Sequence, residues 1–371
     1  MKKLIYGATA LMLMTACGNN NQALVIGDPV FVGEQTMTEV AEPATPNCPP
    51  YVVVNNPEVE LASFPVDKDG YHVLFNGNEK LQGWRGYGKD HIPSRWIVED
   101  GCIKFCGTGL GEGQVAEGGD LIFAHQFQNF VLELEWKVSK GGNSGIFYLA
   151  KETAVRKEDG TLKYQPIYIS APEYQVLDNV NHPDAMLGID GNRQSASLYD
   201  MVPAKPQNQN PFGEWNKARI MVYKGTVVHA QNDVNVVEYH LWTPQWTEML
   251  QASKFSAERW PIGFELLNNC GGDEHKGYIG IQDHGDDVWY RNIRSMRVIF
   301  ALFLAVSSKW EVISLPVSSS WNSILGCECA PSLVYVNASP FFSKLTPKVI
   351  RSPITSWDER IIISTDSGLF S

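Results

Sequence analysis

Residues 132–138 have the sequence LELEWKV, in which apolar and charged side chains alternate without a break. Successive side chains of an extended strand point to opposite faces, so four apolar side chains would face a core and three charged ones would face water. This alternation is typical of antiparallel sheets that are buried on one face only. The stretch therefore predicts one strand of a β-sandwich.

Similar runs, separated by Gly, Asn and Asp, recur from residue 71 to residue 299. One helix is predicted over 245–254, because Thr243 and Pro244 supply an N-cap and a proline at the first helical position. Together these patterns predict an all-β fold, a sandwich of two antiparallel sheets with one short helix. The predicted strands are 71–75, 95–98, 102–105, 120–124, 130–138, 145–149, 173–177, 197–201, 215–222, 227–231, 236–241, 262–267, 277–282 and 288–298.

The composition narrows the class of ligand. The chain has 371 residues, of which 44% are apolar and 11% aromatic, enough to build a large core. Its formal net charge is -11, and no basic stripe with interleaved aromatic residues occurs. Because such a surface repels phosphate backbones, we expect no nucleic-acid partner. The composition is compatible with neutral sugars and with ligands that bind through a cation.

The first 17 residues have the features of a bacterial lipoprotein signal. Lys2 and Lys3 precede an apolar run over 4–16, and Met14-Thr15-Ala16-Cys17 resembles a lipobox. Cys17 would then be the lipidated first residue of the mature protein. The alternative is an ordinary secretory signal cleaved nearby. We expect an exported protein that is lipid-anchored in the bacterial cell envelope, in the periplasm or on the outer surface.

The remaining chain divides into three segments. Residues 18–65 are rich in Asn, Pro and Gly without sustained periodicity, so we expect a flexible tether. Residues 66–299 carry the strand pattern and form the predicted domain. Residues 300–371 are rich in Ser and do not continue that pattern, which indicates an appended segment or a product of a reading-frame change. The six cysteines after Cys17 form no paired CxxC zinc pattern, and the sequence assigns no disulfide.

Residues 173–178, EYQVLD, contain a candidate pair of functional side chains. Glu173 and Gln175 share one strand face, about 7 Å apart at about 3.3 Å per residue. A carboxylate beside an amide offers one group for proton transfer and one that orients a hydroxyl, as sugar chemistry requires. The alternative is a solvated outer face with an incidental glutamate.

Residues 277–285, GYIGIQDHG, repeat this arrangement. Gln282 and His284 share a face, and Gly280 and Gly285 leave room for a ligand. Since its unperturbed pKa is near 6.5, His284 suits a general acid, a general base or a metal ligand. A single histidine at a strand end is also common as a structural residue, and this alternative stays open.

Asn143 lies in the glycine-rich stretch GGNSG at 141–145, where the backbone can approach a ligand. Asp178 and His182 are close enough in sequence to share a divalent-cation site. Their spacing is loose, however, and a capped loop is the favoured interpretation. We therefore assign no metal and no cofactor from the sequence.

Nine short motifs follow one another between residues 70 and 299. They are VLFNG at 73–77, LQGW at 81–84, NSGI at 143–146, EYQVLD at 173–178, HP at 182–183, SLYD at 197–200, EWN at 214–216, QDHG at 282–285 and YRNI at 290–293. In order and spacing they resemble the 3-keto-disaccharide hydrolase domain family. The resemblance covers neither the tether nor the tail.

This resemblance implies a concanavalin A-like jelly-roll sandwich that cleaves glycosides oxidised at C3. The ketone acidifies the C2 hydrogen, so one base removes it, the glycosidic bond breaks by elimination, and water then adds. Glu173 or His284 would be the base or the leaving-group acid, and Gln175 and Gln282 would orient hydroxyl groups. Arg291 would steady the enolate or the domain. The other substrate-binding candidates are Asn143, Asp178 and Trp84. The implied upstream partner is a sugar 3-dehydrogenase.

Two other functions stay open. The same sandwich serves as a non-catalytic lectin-like module, in which aromatic rings would stack on a carbohydrate ligand. A conventional retaining glycosidase would need a second carboxylate about 5 to 5.5 Å from Glu173, and Glu133, Glu135 or Glu265 could supply it. The candidate stacking residues are Trp84, Tyr87, Trp96 and Trp242.

Overall fold

The computed structural model describes residues 26–108 and 117–298. The predictions for the signal peptide, for lipidation at Cys17 and for the tail at 300–371 lie outside these residues. No helix within the described ranges is long and apolar enough to cross a membrane. The four cysteines that the ranges contain, at positions 48, 102, 106 and 270, are all unpaired.

Strands make up most of the regular secondary structure of the described chain. They are β1 (Phe31–Val32), β2 (Thr36–Val40), β3 (Tyr51–Asn55), β4 (Glu58–Val59), β5 (His72–Phe75), β6 (Trp84–Gly86), β7 (Trp96–Glu99), β8 (Cys102–Phe105), β9 (Leu121–Phe127), β10 (Phe130–Val138), β11 (Asn143–Ala150), β12 (Glu152–Arg156), β13 (Leu162–Tyr164), β14 (Glu173–Leu177), β15 (Asn216–Tyr223), β16 (Thr226–Gln231), β17 (Val234–His240), β18 (Gly277–Ile281) and β19 (Val288–Arg297). The helices are α1 (Pro244–Ala252), α2 (Pro261–Asn268) and short 3-10 helices at Leu61–Ser63, Ile167–Ile169 and Pro183–Met186.

Two antiparallel sheets form the body of the protein. An eight-stranded sheet has the order β17-β16-β15-β10-β19-β8-β7, with β5 also paired to β19. A five-stranded sheet has the order β14-β11-β18-β9-β6. Consecutive strands β9, β10 and β11 alternate between the two sheets, as do β18 and β19, which is the connectivity of a jelly roll. The predicted all-β sandwich is confirmed.

The core lies between the two sheets. On β10, Leu132, Leu134 and Trp136 are at most 3% exposed, whereas the charged side chains between them are only partly buried. These apolar side chains join one buried cluster with Ile146 and Tyr174 of the five-stranded sheet. Full burial of each such side chain contributes about 1.5–3 kcal/mol. The alternation in the sequence therefore correctly predicts which face of β10 is buried in the core.

Two predicted strands are wrong. Residues 262–267 belong to α2, in which Ile262, Leu266 and Leu267 are buried. A short apolar run does not distinguish strand from helix, and Pro261 at the first helical position favours the helix. Residues 197–201 form turns rather than a strand.

The predicted helix over 245–254 is present as α1. The hydroxyl of its N-cap, Thr243, accepts a hydrogen bond from the Trp246 N–H at 3.2 Å, and Pro244 occupies the first helical position. Trp246 and Leu250 are fully buried one turn apart. The helix therefore packs on the sandwich, as its sequence indicates.

Residues 31–59 form strands where the sequence predicted a tether. β3 pairs with β2 and with β12, giving a four-stranded sheet in the order β13-β12-β3-β2. Val52 and Val54 of β3 are each 1% exposed. The run YVVVN at 51–55 has strong strand propensity, and the surrounding Pro and Asn residues concealed this signal. Residues 18–25 of the predicted tether lie outside the described ranges.

Glu152 connects this N-terminal segment to the sandwich. Its buried carboxylate accepts hydrogen bonds from two Arg85 nitrogens at 2.5 and 2.7 Å. The Gly88 N–H at 2.7 Å and Asn56 Nδ2 at 2.6 Å donate to the same carboxylate. A buried charge with four donors is well compensated, so this ion pair helps to hold the segment in place.

Candidate active site

The outer face of the five-stranded sheet carries five of the predicted site residues. Gly145 lies opposite Gln175 and Phe147 opposite Glu173, while Ile146 and Tyr174 point to the core. Directly after β18, the Gln282 N–H donates to the Gly145 carbonyl at 2.9 Å, which extends this face. We call this surface the polar face. Its predicted members are Asn143, Glu173, Gln175, Gln282 and His284.

Glu173 is a buried carboxyl group on the polar face. It is 8% exposed, and its side chain lies directly over Gly145, where any Cβ would collide with the carboxylate. Burial raises the pKa of Glu173 to about 8, with Lys254 lowering it and Asp120 and Asp184 raising it. Glycine at 145 is therefore required for the position of this carboxyl group.

This raised pKa predicts a pH-dependent stability difference between the protein and Glu173→Gln. Between pH 4.5 and about 8 the folded state keeps a proton on Glu173 that the unfolded state releases, so stability falls as pH rises through this window. The glutamine side chain of the variant does not titrate, so the variant does not lose stability in this way. We expect the stability of Glu173→Gln relative to the wild type to rise by about 4 kcal/mol between pH 5 and pH 9. Denaturant unfolding at both pH values measures it, and a constant difference would contradict it.

Lys254 and the loop at 182–200 complete the surroundings of Glu173. Lys254 Nζ lies 4.2 Å from the centre of the Tyr199 ring, and burial lowers its pKa while Glu173 opposes that shift. The Tyr199 hydroxyl donates to Asp184 at 2.8 Å, and Arg193 pairs with Asp184 at 2.9 Å. Sequence reasoning assigned no role to Lys254, Asp184 or Arg193. The motifs at 182–183 and 197–200 flank this network and were the only signal of it.

A histidine cluster lies at one end of the polar face. His182, His284 and Asp286 each offer a ligand atom, and these atoms lie within 4.8 Å of one another. Asn143 joins them, because its backbone N–H donates to Asp286 at 3.1 Å and its Nδ2 lies 3.1 Å from His284 Nε2. Burial lowers the pKa of His284, with His182 adding to the shift. Neutral imidazole beside a carboxylate is suited to bind a metal ion.

Asp178 does not share a site with His182. Its carboxylate accepts hydrogen bonds from the backbone N–H groups of Gly141, Val180 and Asn181, and from the Asn181 side chain. The favoured interpretation, a capped loop, describes this residue. The assignment of Asp178 to substrate binding is not supported, because its acceptor positions are used within the loop.

The structure also moves two other predicted site residues away from the polar face. Arg291 lies on the outer face of the eight-stranded sheet, where it pairs with Glu135 at 2.6 Å and stacks on Trp215. Trp84 is 5% exposed in the core, and its Nε1 donates to the Leu74 carbonyl. Alternation shows which residues share a face, but it does not show which of two sheets a strand joins.

The polar face supplies unused hydrogen-bonding groups. Gln282 Oε1 and Asn143 Oδ1 are buried and have no hydrogen-bond partner within the described residues. Gln175 is 1% exposed, and its Oε1 accepts from the Val176 N–H at 3.0 Å. Gln282 and Asn143 are therefore the amides best placed to bond a hydroxyl group of a ligand.

None of the three candidate second carboxylates lies near Glu173. Glu133 pairs with Arg294 at 2.8 Å and Glu135 with Arg291, both on the outer face of the other sheet. Glu265 accepts hydrogen bonds from the backbone N–H groups of residues 44 and 45. These positions argue against a retaining pair built on the carboxylates that the sequence suggested.

Comparison with known proteins gives the family. A model of the 3-keto-alpha-glucoside-1,2-lyase-like domain matches residues 70–296. The chain belongs to this family. A 3-keto-disaccharide hydrolase of Bacteroides thetaiotaomicron is 70% identical to it over 237 residues, which cover 64% of this chain and 81% of the relative. The resemblance inferred from the nine motifs is thereby confirmed.

Two solved structures resemble this chain at lower sequence identity. A candidate glycosyl hydrolase from Parabacteroides distasonis is 24% identical, with 62% of this chain and 94% of that chain covered and a TM-score of 0.49. A second from the same organism is 22% identical, with 58% and 99% covered and a TM-score of 0.40.

Proposed function

We propose that this protein cleaves the glycosidic bond of 3-keto-glucosides or 3-keto-disaccharides. One observation carries the proposal: a buried carboxyl group, Glu173, whose pKa is raised to about 8, lies among amides on the polar face. A carboxylate of raised pKa is a stronger base than an ordinary one and suits removal of a carbon-bound proton. The activity that names the 70% identical relative supports the same reaction.

The proposed reaction begins at C2 of the oxidised sugar. Glu173 as the carboxylate takes the C2 proton, and the electron pair passes into an enolate whose oxygen is the former C3 ketone. Collapse of the enolate forms the C1–C2 double bond and expels the aglycone oxygen, which takes up a proton. Water then adds across the double bond and restores the 3-keto sugar, so the net change is hydrolysis.

Neighbouring side chains fit the remaining parts of this reaction. The Lys254 ammonium group interacts electrostatically with Glu173, and a cation beside the base offsets the negative charge that develops on the enolate. Asn143 and Gln282 offer buried amides for orienting hydroxyl groups. His284 is held neutral by its lowered pKa, so it suits an acceptor or a ligand better than an acid.

A non-catalytic lectin-like function lacks comparable support. Trp84 and Trp96 are at most 5% exposed, Tyr87 is 9% exposed, and the Trp242 ring stacks on His275. None of these four rings is presented as a bare sugar platform.

The decisive experiment measures turnover of a chromogenic 3-keto-glucoside beside its unoxidised parent, with the full chain. We expect cleavage of the keto form at a rate at least about 10² times that of the parent, because only the ketone acidifies C2. Equal cleavage of both would favour a conventional glycosidase. Binding without turnover would favour the lectin-like module.

We further propose that the protein is exported and lipid-anchored through Cys17, and that a sugar 3-dehydrogenase supplies its substrate. The lipobox-like sequence supports the first part, and the need to oxidise a hydroxyl at C3 supports the second. Membrane association that persists in Cys17→Ala would contradict the anchor. Unchanged supply of substrate in cells without sugar 3-dehydrogenase activity would contradict the partner.

A further inference from the structure

The histidine cluster and Asn143 together have the features of a metal site. We propose that His182, His284, Asp286 and Asn143 bind one divalent first-row transition-metal ion at the end of the polar face. Binding of the ion stands on the geometry alone. Its role in the reaction rests on the proposed function.

The first support is the spacing of the ligand atoms. Ligands of one ion at about 2.0–2.2 Å from it lie at most about 4.4 Å apart. The ligand atoms of His182, His284 and Asp286 lie within 4.8 Å of one another. A shift of a few tenths of an ångström in each side chain therefore brings all three into coordination distance.

The second support is the unpartnered carbonyl of Asn143. This residue is 3% exposed, and its Oδ1 has no hydrogen-bond partner, although its amide lies against His284. A buried polar atom without a partner is costly. Rotation of the amide by 180° exchanges Oδ1 with Nδ2 and turns the carbonyl toward the cluster, where a cation would satisfy it. The Nδ2 group then takes the former place of Oδ1, where a hydroxyl group of the substrate would accept its hydrogen bond.

One existing contact changes when an ion binds. The Asp184 N–H donates to His182 Nδ1 at 3.1 Å, which leaves Nε2 for the cluster. Coordination through Nε2 requires the ring proton on Nδ1, so this hydrogen bond opens. One neutral hydrogen bond is weak beside the bonds to a metal ion, and the loss does not prevent binding.

The donor set selects the class of metal. Two imidazole nitrogens, one carboxylate and one amide oxygen suit Mn²⁺, Co²⁺ or Zn²⁺, whereas Mg²⁺ and Ca²⁺ prefer oxygen ligands alone. Four protein ligands also leave room for a fifth or sixth ligand from solvent or substrate.

The proposed metal site and Glu173, the proposed base, are separated by about the width of a sugar ring. The Glu173 carboxylate lies over Gly145, two residues from Asn143 along β11. Two residues of a strand span about 7 Å, close to the width of a sugar ring. An ion there would polarise a ketone or stabilise an enolate oxygen while Glu173 takes the proton from the neighbouring carbon.

The test is a Co²⁺ titration of the full chain without a polyhistidine tag, followed by the visible absorption of the bound ion. We expect one equivalent to bind, with affinity at least about 10² lower in His182→Gln and in Asp286→Asn. The matched controls His240→Gln and Asp233→Asn alter exposed side chains and should bind as the wild type does. Absence of binding, unchanged binding in both cluster variants, or a thiolate charge-transfer band would overturn the site.

A measurement on the wild-type protein tests the site even if the variants do not fold. Paramagnetic Co²⁺ should broaden the ring signals of His182 and His284 and leave those of His240 unchanged, and the reverse pattern would overturn the site. The two proposals also fail separately. Specific binding without cleavage of a 3-keto-glucoside would contradict the function and keep the site, while full turnover by a protein that binds no metal would contradict the site and keep the function.

Discussion

Glu173→Gln is expected to lower turnover of a 3-keto-glucoside by about 10² or more, because the amide cannot accept the C2 proton. The substitution preserves the shape of the side chain and its position over Gly145. Substrate binding should therefore change little, so the loss should appear in kcat rather than in KM. Steady-state kinetics on the full chain measures both constants.

The control for this result is Glu238→Gln, which makes the same chemical change at a largely exposed position on β17. It should retain wild-type turnover. The wild-type rate should also rise with pH toward about 8 as Glu173 loses its proton, and this limb should vanish in Glu173→Gln. Wild-type kcat in Glu173→Gln would rule out Glu173 as the base.

Arg85→Met is expected to destabilise the protein by about 3–5 kcal/mol, because it leaves the fully buried Glu152 carboxylate without its cation. Both Arg85 terminal nitrogens donate to this carboxylate, and its other two donors, the Gly88 N–H and the Asn56 amide, carry no positive charge. The free energy of unfolding, measured in denaturant near pH 7, tests this prediction.

An exposed ion pair provides the comparison. Arg156→Met removes the partner of Glu39, whose side chain is 56% exposed, and should change the free energy of unfolding little. Adding Glu152→Leu to Arg85→Met removes the stranded charge, so the double variant should recover part of the lost stability. If Arg85→Met and Arg156→Met cost the same, the buried pair would not have the assigned role.

The alternation of apolar and polar residues in this chain identifies the faces of its strands. The spacing of Glu173 and Gln175, and of Gln282 and His284, correctly predicts that each pair shares a face, because side-chain direction in a strand is a local property. The same pattern does not tell the outer face of one sheet from that of the other. Arg291, which the family resemblance assigned either to the enolate or to the domain, lies on the outer face opposite to that of Glu173.

The sequence pattern does not identify residues that reach the site from loops and helix ends. Lys254 follows α1 and Asp184 lies in the 3-10 helix Pro183–Met186, so their positions depend on tertiary packing. The pairing of His182 with Asp286 rather than Asp178 has the same cause. Asp178 is four residues from His182, yet it is held by its own loop, whereas Asp286 arrives from beyond β18.

The strands before residue 70 affect how the protein can be produced. The family match begins at residue 70, but β3 covers an edge of β12, and Phe64 packs against Phe123 with ring centres 5.0 Å apart. A truncated protein that starts at residue 70 would expose that strand edge and the apolar surface beside it. Open strand edges recruit other chains, so such a truncation would tend to aggregate on expression, and a workable recombinant boundary lies near residue 26 instead.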